Sequence, residues 1–500
     1  MLPEIEPHAG CTLAAPLAPI PPCEKTRYSF GTLEEEKEFR YAEPMLAKIM
    51  TLVCLAVLPS VLTGQTGAPI PSSEKPQAPT DQRPDSAQQS RWRPGLPVYA
   101  TVEGQPIDPR PPEKRDDKPL FPEQTRAPFH ATAPFTSTTL TSTLHAPWSL
   151  AFLPDGKILI TEKLPGAIRI LDKQGVLSAP LAGLSAVSSS PEFGVLDLAL
   201  DPHFATNRRI FFTFFEWVDN NDSNTYVARA RLDEAEGALT DVRVIFRTTP
   251  AIPSHGSLSA ATKTGGRIAI GRDGNLFVLI GDRDDAGPAP WDVAQKLDND
   301  LGKIIRITPE GKPAPGNPFA ATPGALPEIW AYGQRSQEGL AFDPATGRLW
   351  ETEHGPRGGD ELNLIEKGRN YGWPVITHGI DYAGSPVGAG ITAKDGMEQP
   401  VYYWDPVIAP SGLAFYTGDL FPQWKNSIFV GGLGGMLLDR LTLLNDKVVA
   451  EEPLLTDLHT RIRDVRVGPD GAVYVLTDSG VGVITDNTPP TSRLLKLTPK

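Results

Sequence analysis

Two groups of residues could do chemistry. The first is EHGPRGGDELNLI at 353–365, continued by KGRNYGWPVITHGIDY at 367–382. Glu353, Asp360, Glu361 and Asp381 offer hard oxygen ligands, and the glycines let backbone carbonyls turn inward. An oxygen-rich loop of this kind suits Ca2+, which takes about six to eight oxygens in a loose geometry. The plain alternative is a solvated charged turn. The second group is Arg335, in AYGQRSQEG, with Arg461 and Arg463, in RIRDV. Arginines at i and i+2 of a strand project to one face, so Arg461 and Arg463 form a cationic pair. Guanidinium groups match planar carboxylates. Converging arginines in an acidic chain therefore point to an anionic ligand, with surface salt bridging as the alternative.

Such groups need elements to carry them. WSLAFLPDGKILITE (148–162) is an apolar run, a tight Asp155-Gly156 turn and a second apolar run, which is a β-hairpin pattern. Similar units recur at 196–216, 268–282, 340–355, 413–433 and 465–478. Six copies predict an all-β chain, a six-bladed β-propeller over about 130–500. Shorter runs at 167–172, 226–232 and 303–308 supply further strands. Long amphipathic helices are missing from the pattern, as are nucleotide-binding glycine motifs and H-E-x-x-H. A propeller does not set function, so the chemistry must come from the loops at its axis.

Composition agrees. The chain has 500 residues, 40% hydrophobic and 21% charged, enough for a packed core rather than disorder. Lys+Arg number 47 against 60 Asp+Glu, a net charge of −13, which argues against a nucleic-acid partner. Cys11, Cys23 and Cys54 are the only cysteines, so no disulfide framework or thiolate site exists beyond Cys54. Ile49 to Leu62 is a short apolar run after Lys48, followed by small residues, and it reads as a secretory signal over 45–68. It is too short, and too interrupted by Pro59, for a comfortable membrane span. This reading takes Met45 as the true start and 1–44 as a mis-called extension. It predicts a periplasmic or secreted protein with no membrane span once the signal is removed. Fourteen prolines between 69 and 128 predict a linker over 69–129 that lies partly along the next domain.

From Leu144 onward the chain resembles the soluble sugar dehydrogenases that use pyrroloquinoline quinone, the glucose/sorbosone dehydrogenase family. The resemblance rests on PWSLAFLPDGKILITE, DPHFATNR, LGKIIRI, EHGPRGGDELNLI, GRNYGWPVITHG, APSGLAFYTGD and RIRDVRVGPDG. It implies a six-bladed propeller with pyrroloquinoline quinone and Ca2+ as cofactors, a sugar substrate and an external electron acceptor. It places Arg335, Tyr382, Arg461 and Arg463 on the quinone. Carbonyls of Gly355 and Pro356 would reach a Ca2+ beside the quinone, and Glu361 and Tyr371 would bind a structural Ca2+. Asp282 would support the catalytic base.

Four positions depart from the family pattern. The family's basic histidine is replaced by Lys263, in KTGGR; a glutamine by Glu192; an asparagine by Ser336; and a quinone-contacting lysine by Gly434. Lysine is a base only when its pKa is lowered by burial or a neighbouring cation, for which Arg267 is nearby in sequence. His255 is a second candidate base, although an isolated loop histidine is ordinarily a bystander. Two expectations follow. Either the protein is a quinone-dependent sugar dehydrogenase with a remodelled base, or it has lost this reaction. In the second case it is a Ca2+-containing ligand-binding propeller or a lactonase-like hydrolase.

Overall fold

The computed structural model describes residues 97–163, 166–186, 194–218, 222–253, 263–283, 292–479 and 491–500. Glu192, His255, the apolar run at 49–62 and all three cysteines lie outside the described residues. The described residues belong to one compact unit, Arg83–Lys500.

Each predicted hairpin forms, and each sits at the inner edge of a separate antiparallel sheet. The six innermost strands are Pro147–Phe152, Gly194–Leu200, Ile268–Ile270, Ser336–Phe342, Pro410–Phe415 and Arg461–Val467. They open blades one to six, and the fold is a six-bladed β-propeller. Second strands such as Ile158–Glu162 and Leu276–Ile280 are buried at every position. They are covered on both faces, which is why they read as unbroken apolar runs rather than alternating ones. The tight turns need a residue at positive φ: Gly274 sits at φ +77°, with open space where a Cβ would go, so conformation alone selects glycine there.

Six apolar clusters fill the six gaps between blades. Leu159, Val195 and Phe212 join blades one and two, for example, and Val227, Ile268 and Val278 join two and three. The sixth gap closes the ring. Strand Phe135–Leu144, from before blade one, pairs antiparallel with Ser492–Pro499, so the first and last strands of the described residues complete blade six together. Ring closure leaves few open sheet edges.

A charged knot ties the blades near the axis. Arg267 is fully buried and pairs with Asp197 of blade two at 3.3 Å and with Asp464 of blade six at 3.2 Å. Arg466 reaches the same two carboxylates, and Ser149 of blade one donates to Asp197. Arg267 is thus committed to the ring, and this corrects its suggested help for Lys263.

The described part of the expected linker is integral to the unit. Ile107, Ala127 and Phe129 are buried in the cluster between blades four and five. Tyr99 donates its hydroxyl to the Gly435 carbonyl, and the Ala127 amide donates to the Tyr402 hydroxyl. Residues 97–129 therefore form a strap laid along the propeller.

Candidate functional site

In every blade the innermost strand begins at the rim where the second strand ends, because the two are antiparallel. Ser336 pairs with His354 and Arg461 with Asp478 across such ends. Residues that flank the hairpins are thereby delivered to one mouth of the ring.

Arg335 is buried at the centre of this arrangement. Its Nη1 donates to the carbonyls of His354 at 3.2 Å and Gly355 at 2.8 Å, and Nη2 reaches the Tyr382 hydroxyl at 3.4 Å. The guanidinium lies 5.1 Å from the Trp373 ring centroid. The Gly355 carbonyl, expected to face Ca2+, already faces a cation. The Arg335 amide donates to Glu353, whose strand ends in the same loop.

Asp282 adjoins Arg335. Its amide donates to the Arg335 carbonyl at 2.8 Å, and its Oδ2 accepts from Trp373 Nε1 at 2.7 Å. Lys263 Nζ lies 3.9 Å from Asp282 Oδ1, and the two side chains are only 7% and 1% exposed. This proximity depends on Gly281: a Cβ there would lie 1.9 Å from the Lys263 carbonyl oxygen. The predicted catalytic pair is thus brought together.

Arg461 and Arg463 converge as predicted, and each reaches Asp478 at 3.5 Å. Arg463 also pairs with Glu338 at 3.2 Å. Burial and the neighbouring Arg463 hold the Arg461 pKa down. Lys163 faces the same charges; burial, then Arg463, pushes its pKa down to about 8. Arg283 is buried against Ser223, and burial lowers its pKa to about 10. Lys163, Arg283, Trp373, Glu338 and Asp478 were missed from sequence. The signal lay in the repeat itself: Lys163, Arg283 and Asp478 all lie at the ends of second strands, as Gly355 does.

Ser336 is buried at the start of blade four, next to Arg335. Gly434 occupies the corresponding loop of blade five, with its amide on the Ile408 carbonyl, and brings no side chain to the mouth. Tyr382 is half-exposed on the loop after Ile380, and Pro356 lies in the turn tied to that loop.

Below the mouth, blade four gathers three carboxylates. Glu353 pairs directly with Glu361, and Glu351 with Asn363, so all four project to one face. Asn363 Nδ2 lies 3.2 Å from an oxygen of each glutamate. Burial raises all three pKa values, Glu361 to about 7, and the neighbouring glutamates add to the rise at Glu353. Glu351 Oε1 and Asn363 Oδ1 are buried without a hydrogen-bond partner. Among the described residues no group of three or more His, Cys, Asp or Glu side chains is arranged to hold a metal ion, and the Asn363 amide sits among these carboxyls; a cation placed here would have to satisfy the two unpartnered oxygens. The Tyr371 hydroxyl instead bonds within its own segment, donating to the Leu364 carbonyl and accepting from the Glu366 amide. Tyr371 can serve such a cation only through its backbone.

A six-bladed propeller whose mouth holds buried arginines, a lysine–aspartate pair and an oxygen-rich loop defines a class. Residues 144–486 match the family model described as Glucose / Sorbosone dehydrogenase, and the chain belongs to that family. It is similar to the aldose sugar dehydrogenase YliI of Escherichia coli, 41% identical over 348 residues, which cover 69% of this chain and 91% of that protein. The apo crystal structure of the soluble E. coli aldose sugar dehydrogenase superposes with a TM-score of 0.66 at 40% identity, covering 73% of this chain and all of that one. The PQQ-bound form of an aldose sugar dehydrogenase from Streptomyces coelicolor superposes with a TM-score of 0.56 at 29% identity, covering 74% and 99%. The protein is an oxidoreductase of the sugar dehydrogenase type.

Proposed function

We propose that the protein oxidises the hydroxyl of an aldose sugar, with pyrroloquinoline quinone and Ca2+ as cofactors, and passes the electrons to an external acceptor. The observation that carries this reading is Arg335. It is held between two carbonyls, a phenol and an indole, beside Asp282 and Lys263. Arg335, Arg461, Arg463 and Tyr382 would hold the quinone's carboxylates and edge, with Ser336 and Gly434 at further quinone positions; Glu192, the remaining expected contact, lies outside the described residues. The Pro356 carbonyl would face a Ca2+ at the quinone, joined by the Gly355 carbonyl if Arg335 turns from it to the quinone, and Glu361 with the Tyr371 backbone would face a second one. When bound, the quinone supplies the hydride acceptor and the nearby Ca2+ the Lewis acid that polarises it.

Lys263, as its neutral amine, would take up at Nζ the proton of the sugar hydroxyl whose carbon gives its hydride to the bound acceptor. Asp282 orients Nζ and stabilises the ammonium that forms. Trp373 fixes Asp282 by its indole N–H and backs Arg335 with its ring, so base and quinone anchor share one support. A lysine serves as base only as its neutral amine, so a lysine-dependent reaction speeds up on the alkaline side.

The test mixes apo-protein with quinone and Ca2+, follows binding by absorbance and assays dye reduction with a panel of aldoses. Binding with turnover that climbs steeply at alkaline pH is expected. Failure to bind removes the cofactor assignment, and binding without turnover establishes loss of the reaction. We further propose export to the periplasm or medium, on the apolar run at 49–62; a mature N-terminus that retains this run would refute it. Among the described residues no helix is long and apolar enough to cross a membrane.

A further inference from the structure

The loop that presents Tyr382 spans residues 377–391 and contains no regular strand or helix. Its neck is closed by the Thr377 amide on the Ile391 carbonyl at 3.2 Å. Arg357 and Ile380 exchange two backbone hydrogen bonds, which tie the loop to the Gly355–Pro356 turn. Three local turn bonds, Asp381 to Ser385, Gly384 to Asp381 and Gly390 to Val387, and the packing of Val387 on Ala294 and Trp373 add to these, yet the ordering of fifteen irregular residues costs a large conformational entropy. Much of the remaining support comes from the strap. Glu113 pairs with Arg357 at 2.7 Å. Lys114 is buried, and its Nζ donates to the carbonyls of Thr377 at 3.2 Å and Gly390 at 2.9 Å, one on each side of the neck. Asp117 bonds His378 Nδ1 at 2.9 Å, and the buried imidazole stacks on Tyr403 with centroids 4.0 Å apart. The strap is itself anchored, since the amides of Glu113 and Lys114 donate to Asp405 at 2.8 and 3.1 Å.

We propose that Glu113, Lys114 and Asp117 are positioning residues that hold the 377–391 loop closed and thereby keep Tyr382 on Arg335. A buried ammonium is costly unless its protons are accepted, and the carbonyls on Lys114 do so only while both sides of the neck stay together. Strap docking and loop closure are therefore one event. The strap precedes the family match, which begins at residue 144, so this support comes from outside the matched segment. The inference rests on the quinone reading for its consequence at the site, but not for the closure itself.

The experiment uses the full chain with Lys114→Met, and Glu113→Gln as a milder variant whose half-buried pair is less able to disturb folding. Hydrogen exchange is measured first, without cofactor. Lys114→Met is expected to speed exchange at 377–391 by tenfold or more, and Glu113→Gln by less, while the blade strands keep wild-type protection. Titration with pyrroloquinoline quinone is then expected to show about tenfold weaker binding for Lys114→Met, with the dye-reduction rate at saturating quinone unchanged. Wild-type exchange in the loop of both variants overturns the proposal, as does equal acceleration over all blades. Faster loop exchange with unaltered quinone affinity overturns the link to Tyr382. If wild-type protein binds no quinone, the cofactor reading fails, and the exchange result still decides whether the strap closes the loop.

Discussion

Arg335 makes its contacts through a planar fork, and a lysine cannot copy them. Arg335→Lys keeps the charge but loses the paired carbonyl contacts and the stacking on Trp373. Quinone affinity should fall by about 1.5–3 kcal/mol, roughly 10- to 100-fold in Kd, as read by absorbance titration. Lys263 acts on the proton and not on the quinone. Lys263→Met should lower kcat about 100-fold or more while the quinone Kd changes little. Lys263→His should shift the rise in kcat toward neutral pH, because imidazole loses its proton there. At this scale the sequence showed the cations well and their partners poorly. Arg461 and Arg463 stood out as a pair, whereas of the acids that neutralise part of their charge Glu338, from blade four, gave no local sign and Asp478 was marked only by its place at the end of a second strand. Lys163 was overlooked because it looks like an ordinary residue after a strand.

Blade four shows what an element adds. Alternation along one strand puts Glu351 and Glu353 on one face, and antiparallel register sets Glu361 opposite Glu353. Burial makes their ionisation costly, and neighbouring glutamates add to that cost at Glu351 and Glu353, so protons are retained near neutral pH. Carboxyls with raised folded pKa values stabilise the protein below their unfolded values. That stability is lost as pH rises through about 7, the value for Glu361. A bound divalent cation would compensate the ionised forms. Chelator-treated protein should therefore lose melting temperature between pH 5 and 8, and Ca2+ should reverse the loss. Ca2+ binding near pH 7 should release protons, seen as a buffer-dependent heat in calorimetry, and its affinity should rise with pH across this range. An unchanged melting profile with and without Ca2+ would count against a cation there. The acid-rich loop was legible as an oxygen donor set. Glu351 was not part of that reading, because only strand pairing brings it beside Glu353 and Glu361.

The whole ring depends on contacts between residues far apart in the chain. Arg267 is shared by blades two and six, and Arg267→Met would leave Asp197 and Asp464 buried with less compensation. Such a loss costs about 3–5 kcal/mol, to be measured as a shift of the denaturant midpoint at constant slope. The sequence alone determined the blades. Apolar runs of strand length, separated by turns such as Asp155-Gly156, encode hairpins through local sterics and burial, and six of them suffice to specify a propeller. It also determined that arginines and acidic, glycine-rich loops would flank those hairpins. Only the tertiary structure decided which of them meet. Asp282 was brought to Lys263 by a close backbone approach at Gly281, Arg267 was taken into the knot at the axis, and the proline-rich segment was laid over the Tyr382 loop. The first contact closes the end of one hairpin, the second spans blades and the third comes from outside them; each is set by how the backbone folds back on itself, which spacing along the chain does not carry.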